Sequence, residues 1–322
     1  MKLRIACVHI LKILLLAGLA GKCGFLSAQN DPQSSMYWAV PTLYNPAAVG
    51  CDSAIHISAF NRMQWVGVKH APQTFFVSAD MPFKFKNVRN GVGVSVMNDK
   101  AGLFNTTQLG LQYSYSLKLW DGRLALGLQA GMVNQGFSGG DIYIPDGDAW
   151  DPSADGLPSG DVSAMTFDCG FGAWYERQWL YAGFGIQHLS EGTINLDEYA
   201  YSELTRTYFF NVGGNIPIRR TLFLVQPSIL VKTTMQALQT DYTLRATYDH
   251  KFWGGITYRP GDAVVMMVGA DVGNIRLGYA YDIGISALAK ASNGSHELMV
   301  TYSYKIDLDK KKQHSHKSIR IL

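Results

Sequence analysis

Apolar and polar positions alternate strictly through most of the chain. In residues 106–131, TTQLGLQYSYSLKLWDGRLALGLQAG, Leu109, Leu111, Tyr113, Tyr115, Leu117 and Leu119 share one face and Gln108, Gly110, Gln112, Ser114, Ser116 and Lys118 the other. After Trp120-Asp121-Gly122 the alternation resumes with Leu124, Leu126, Leu128 and Ala130. A period of two over this length predicts a β-hairpin. The same pattern predicts strands near 53–65, 72–82, 88–98, 105–118, 123–135, 165–176, 179–189, 204–216, 222–233, 240–249, 251–259, 262–271, 274–283 and 295–306. Residues 222–233 are the least regular, because Pro227 interrupts them.

Connection lengths turn these strands into an architecture. Tight turns at 120–122, 176–178, 249–251 and 272–274 alternate with the long stretches 136–164, 190–203 and 284–294. Short turns at one end and long loops at the other mark a bacterial outer-membrane barrel. A soluble β-sandwich or a two-domain β protein has no reason to segregate its loops this way. The predicted fold is therefore all-β: a transmembrane antiparallel β-barrel of about 14 strands over residues 51–306, its Leu/Tyr face toward lipid. Trp65, Trp120, Tyr175, Trp179, Tyr258 and Tyr304 fit interfacial girdles, with Trp65 expected either to anchor there or to fold over the barrel mouth. Inward positions are largely Gly, Ala and Ser, which leaves lumen volume to fill. Residues 29–50 lack strand alternation and contain Pro32, Pro41 and Pro46, so they are expected to tuck into the periplasmic mouth or lumen as an N-terminal plug-like segment.

Composition agrees with a membrane wall. Charged residues make up 16% of the 322 and aromatic ones 12%, against about 25% charged in soluble domains. Residues 1–28 read as a signal peptide: Lys2, Arg4 and Lys12 precede the apolar run 13–20, and Ser27-Ala28 offers a cleavage site. Lys22 before Cys23 is wrong for a lipoprotein signal. Removing Lys2, Arg4, Lys12 and Lys22 takes the net charge from +3 to −1, so nothing points to nucleic acid as a partner. Two cysteines remain, Cys51 and Cys169, with no placement that demands a disulfide.

Three stretches carry a family likeness: DPQSSMYWAVPTLYNPAAVG (31–50), RMQWVGVKHAPQTFFVSADMP (62–82) and GVGVSVMNDKAG (91–102). With the ending SHELMVTYSY (295–304), they resemble the PorP/SprF family of Bacteroidetes outer-membrane proteins. The residues that carry the likeness are Asp31, Pro32, Gln33, Asn45, Pro46, Gln64, Trp65, Ala71, Pro72, Thr74, Asn98, Asp99 and Lys100. It spans about 30–306, leaving 307–322 as a private basic tail. The resemblance implies a non-enzymatic component of type IX secretion and the linked gliding machinery. It implies partners too: outer-membrane lipid, periplasmic secretion or gliding proteins, and a secreted adhesin-like protein. Both chain termini are then expected on the periplasmic side.

Candidate chemistry beyond the likeness is sparse. Lys84, Lys86 and Arg89 fall in one predicted periplasmic turn, Arg219 and Arg220 in another, and Lys310, Lys311 and Lys312 in the tail; all are candidate docking sites for acidic partners. Asn98-Asp99-Lys100 is expected to open a turn held by side-chain bonds to nearby backbone. The loop 136–164 carries Asp141, Asp146, Asp148, Asp151, Asp155 and Asp161, and 190–203 carries Glu191, Asp197, Glu198 and Glu203, without an EF-hand spacing; a solvated acidic surface is the expected reading. His296 in HELMV lacks a second His at the metalloprotease spacing, and no nucleophile elbow or phosphate loop occurs. No cofactor is expected. Inward charges, Lys118, Asp168, Glu176, Arg245, Arg276 and Asp282, are few and are expected to pair across the lumen. The competing function is a channel or transporter for small or hydrophobic solutes.

Overall fold

The computed structural model describes residues 31–139, 160–197, 200–286 and 291–308. The strands are β1 (Ala54–Met63), β2 (Gln73–Phe85), β3 (Val88–Ala101), β4 (Phe104–Leu119), β5 (Gly122–Phe137), β6 (Val162–Arg177), β7 (Leu180–Gln187), β8 (Thr193–Asn195), β9 (Tyr201–Glu203), β10 (Thr207–Gly214), β11 (Ile216–Pro217), β12 (Phe223–Thr233), β13 (Leu238–Tyr248), β14 (Phe252–Arg259), β15 (Ala263–Val272), β16 (Ile275–Gly284) and β17 (Ser295–Lys305). β8 and β9 form a separate small hairpin, and β11 only extends the edge of β12. The other 14 strands form one antiparallel wall, closed where β1 pairs with β17 and β10 with β12. Closure gives every strand two neighbours, the condition hydrocarbon imposes on a β structure. All the predicted strands are present, including β12, whose Pro227 sits opposite Leu244 without breaking the pairing to β13.

The faces divide as the alternation requires. Leu111, Leu128 and Val268 point outward and are more than half exposed. Ser58, Ser78, Ser114, Thr243 and Thr257 point inward and are buried. Turns of two or three residues follow β2, β4, β6, β13 and β15 at one end. The longest connections, 64–72, 138–161, 188–206 and 285–294, lie at the other.

Residues 31–50 lie inside the wall. Three short 3-10 turns, Tyr37–Ala39, Pro41–Leu43 and Pro46–Ala48, fold them compactly. Met36, Tyr37, Val40, Tyr44, Ala47 and Val49 are almost completely buried, several against inward Phe60, Phe76, Phe209, Trp253 and Met299. Non-helical backbone tolerates membrane depth only where protein satisfies its polar groups. Here the wall does so: Gln112 Nε2 donates to the Thr42 carbonyl (2.9 Å), Ser114 Oγ to that of Val49 (2.6 Å), and Gln187 to that of Leu43. Asn45 caps its own turn by accepting from the Ala47 N–H (2.9 Å) and donates to the Ala173 carbonyl (3.0 Å). Gly127 and Gly185 permit this approach, since a Cβ on either would collide with the backbone of Ala47 or Tyr44.

The segment has a definite direction. Asp31 lies at the long-loop end, beside Lys232 and His188, and Gly50 donates to Asp80 (3.0 Å) toward the short-turn end, where β1 starts. Asp31 and Lys305 therefore sit at opposite ends of the barrel, and the termini expected on the periplasmic side lie outside the described residues. The chain crosses the lumen before it enters the wall.

Replacing Leu111, in the middle of β4, with Arg puts a charge on the outward face. Folding stability measured by urea titration in lipid vesicles should fall by about 2–4 kcal/mol. An unchanged midpoint would mean that this face does not meet hydrocarbon.

Candidate functional site

A cavity of about 720 Å³ opens at the long-loop end. Its lining joins segments far apart in the chain: Asp31, Pro32 and Gln33 from the lumenal segment, Gln64, Trp65 and Pro72 from the first long connection, Asp99 from β3, and Arg259 and Asp282 from the wall. Trp65 takes a left-handed backbone (φ 43°), and its N–H donates to Ser295 Oγ (3.1 Å). Gln64 N–H donates to the Pro72 carbonyl (2.9 Å). These bonds fold the β1–β2 connection across the mouth, so Trp65 is a rim residue and not part of a lipid girdle.

The floor is a buried ion network. Arg62 Nη2 meets Asp282 Oδ2 at 2.6 Å and its Nη1 meets Glu297 Oε2 at 3.3 Å. Arg259 grips Asp241 with two bonds of 2.9 Å and reaches Asp262 (3.2 Å) and Asp282 (3.3 Å). Glu297 accepts from Ser34 Oγ (2.6 Å), Ser35 N–H (2.7 Å) and Met36 N–H (3.1 Å), while Ser35 Oγ bonds Asp282 (2.9 Å). The first residues of the lumenal segment are thus fastened to β1, β16 and β17 at once. Charges this deep persist only when each is paired and hydrogen-bonded.

A second fastening holds Asp31. Lys232 Nζ donates to its carbonyl, and His188 Nε2 stands 3.3 Å from its carboxylate. His188 Nδ1 lies 3.1 Å from Asp168 Oδ2, an electrostatic contact without hydrogen-bond alignment. Burial disfavours the imidazolium of His188, in the loop beyond β7, but the neighbouring charges of Asp31 and Asp168 outweigh it and push its pKa up to about 10. His188 and Lys232 hold the Asp31 carboxyl well below the usual range against its own burial.

The residues singled out in the sequence fall in different places. Asp31, Pro32, Gln33, Gln64, Trp65, Pro72 and Asp99 converge on the vestibule. Asn45 and Pro46 lie deep in the lumen instead, against Gly172 and Gly127. Ala71 is half-buried in the first connection, Lys100 is exposed, and Asn98 bonds across to Asn105 (2.8 Å) and Thr107 (2.9 Å). Asn98-Asp99-Lys100 is the end of β3 rather than a turn, and Asp99 accepts from the Thr74 hydroxyl (2.6 Å), not from nearby backbone. At the opposite end Lys84, Lys86, Arg219 and Arg220 are exposed. Arg89 is not free for docking, because it donates to the Cys51 carbonyl (3.2 Å) and to Ser53. Lys310, Lys311 and Lys312, and most of the acidic 136–164 loop, lie outside the described residues. Cys51 and Cys169 are both free thiols. Ser34, Ser35, Arg62, Arg259 and Glu297 escaped the sequence reading. Alternation placed Arg62 and Glu297 on the lumen face, and a charge there is the signal that marks them.

Arg62→Met leaves Asp282 and Glu297 buried without their cation. Urea unfolding should show a loss of about 3–5 kcal/mol, and limited proteolysis should begin to cut within 31–36. The His188 pairing stabilises the fold through a raised pKa, so its contribution is complete below about pH 6.5, the ordinary value, and fades as pH climbs through about 10. The stability gap between wild type and His188→Gln should follow that course; a gap independent of pH would exclude a charged His188.

The sequence profile of the type IX secretion system membrane protein PorP/SprF family matches residues 26–302. No curated protein sequence matches this chain. Among solved structures, the Acinetobacter baumannii outer membrane protein Omp33 superposes with a TM-score of 0.46 at 7% identity, over 80% of this chain and 100% of its own. The CymD monoaromatic hydrocarbon channel gives 0.45 at 10% identity, over 83% and 93%. The translocator domain of the autotransporter NalP from Neisseria meningitidis gives 0.41 at 10%, over 79% and 88%. A closed barrel with an apolar exterior, and a family match along almost its whole length, together make this chain an outer-membrane protein of the type IX secretion PorP/SprF family.

Proposed function

We propose that this barrel is a non-enzymatic component of the type IX secretion and gliding apparatus that holds a segment of an exported, adhesin-like partner in its long-loop vestibule. The long loops then face the exterior and the short turns the periplasm, as in other bacterial barrels. Lys84, Lys86, Arg219 and Arg220 would meet periplasmic components of the machinery there. One observation carries the reading. Residues of three separate family-like stretches, Asp31–Gln33, Gln64, Trp65 and Pro72, and Asp99, line a single cavity of about 720 Å³. The lumenal segment 31–50 supports a holding role over a conducting one, because its apolar side chains fill the middle of the barrel.

The test is affinity purification of the tagged full chain from the native outer membrane. Trp65→Ala removes a half-buried aromatic anchor from the vestibule rim; loss of such an anchor costs about 2 kcal/mol, roughly 30-fold in affinity. Recovery of the exported partner should fall accordingly, while periplasmic proteins still co-purify and the barrel keeps its heat-modifiable mobility. Undiminished recovery would remove the vestibule from the reading. A stable, solute-selective pore in planar bilayers would favour the small-solute channel instead.

A further inference from the structure

A second cavity, about 350 Å³, lies beneath the lumenal segment and opens at the short-turn end. Its roof is Trp38, its walls carry Trp174, Tyr181, Asn211 and Asn215, and Arg245 and Arg276 reach into it from β13 and β16. Most charges around it are paired: Arg276 is bound twice by Asp271 (2.8 and 2.7 Å), Glu176 meets Arg123 (3.2 Å) and His56 meets Asp52 (2.9 Å), while Asp80 takes only a backbone bond from Gly50. Arg245 has no hydrogen bond or ion pair among the described residues. Its guanidinium instead lies 3.3 Å above the Trp38 ring, which is braced edge-on by Trp253 (centroids 4.9 Å apart).

From this arrangement we propose that the short-turn vestibule is a carboxylate-binding site, with Arg245 as its principal contact. Stacking on Trp38 fixes the plane of the guanidinium and leaves its N–H donors free at the edges. That fork matches a carboxylate in two parallel bonds. A half-buried cation without a counterion bears a desolvation cost that an entering anion offsets. The walls argue for a singly charged ligand: Asp52, Asp80 and Glu176 line the same cavity and repel a phosphate dianion more than a carboxylate. The volume is at the small end of ligand pockets, sufficient for a small organic acid or the carboxylate-bearing end of a peptide. The site is separate from the long-loop vestibule and does not depend on the role given to that cavity.

Calorimetric titration of the purified full chain in detergent tests the proposal with four probes: benzoate, acetyl-trialanine as the free acid, the same peptide as its amide, and inorganic phosphate. Saturable binding of a carboxylate probe, with none of the amide or phosphate, is the expected result. Binding of the peptide acid alone identifies a peptide end, and binding of benzoate as well identifies small organic acids. Arg245→Gln should weaken binding at least about tenfold, and Arg245→Lys should also weaken it by removing the fork. Lys251→Gln, at an exposed position in the β13–β14 turn at the same end of the barrel, should leave it unchanged. Heat-modifiable mobility reports whether each variant folds, and the wild-type contrast of acid with amide decides the matter even where a variant does not. No saturable binding of either carboxylate, equal binding of the amide, preference for phosphate, or affinity unaltered in folded Arg245→Gln would each overturn the proposal.

Discussion

Glu297 is a carboxylate with no exposure to water, and the lumen is organised around satisfying it. Its oxygens take bonds from two backbone N–H groups and a hydroxyl of the lumenal segment and face the Arg62 guanidinium across the β1–β17 seam. An anion in that position is costly unless all these donors arrive together. The strand ends, the start of the lumenal segment and the floor of the vestibule are therefore one cooperative unit. Arg259 and Asp241 extend it along the wall, and Asp282 links the two arginines.

The wall and the interior obey different rules. Outside, lipid asks only that side chains be apolar, so Leu109, Leu111, Tyr113 and Tyr115 repeat with little specificity. Inside, a coil of three short turns needs a partner for each polar group at a fixed place. Gln112, Ser114 and Gln187 meet the carbonyls of residues 42, 49 and 43 because they occupy single positions on their strands. Gly127 and Gly185 are small where the coil touches the wall. Specificity in this protein is concentrated on the face that lipid never sees.

That division explains what could be read from the chain. The period of two gives the strands and their faces directly, and the unequal connections give the two ends, so even Pro227 did not hide β12. Residues 29–50 announced themselves by lacking alternation. Their path did not, since it depends on Ser34, Ser35 and Asn45 finding partners more than 100 residues away in the chain. Asp99 read as a turn former because sequence shows neighbours along the chain, whereas its partner Thr74 lies across a strand pair. The motif residues Asp31, Gln64 and Trp65 were visible one by one; that they share a cavity follows only from closure of the barrel. Inward charges were expected to pair across the lumen; Arg276 and Glu176 pair instead with Asp271 and Arg123 on the neighbouring strands, and sequence cannot show that Trp38 takes the place of an anion beside Arg245.

The path of the lumenal segment has a consequence for biogenesis. Arg62 is carried by the first strand, Asp282 by the penultimate one and Glu297 by the last, so the clasp that receives Ser34 and Ser35 exists only when the two ends of the wall have met. A nascent chain can hold Asp31 earlier, but it cannot secure Ser34–Met36 until it has placed its end. Retention of residues 34–36 is thus a built-in record that closure is complete.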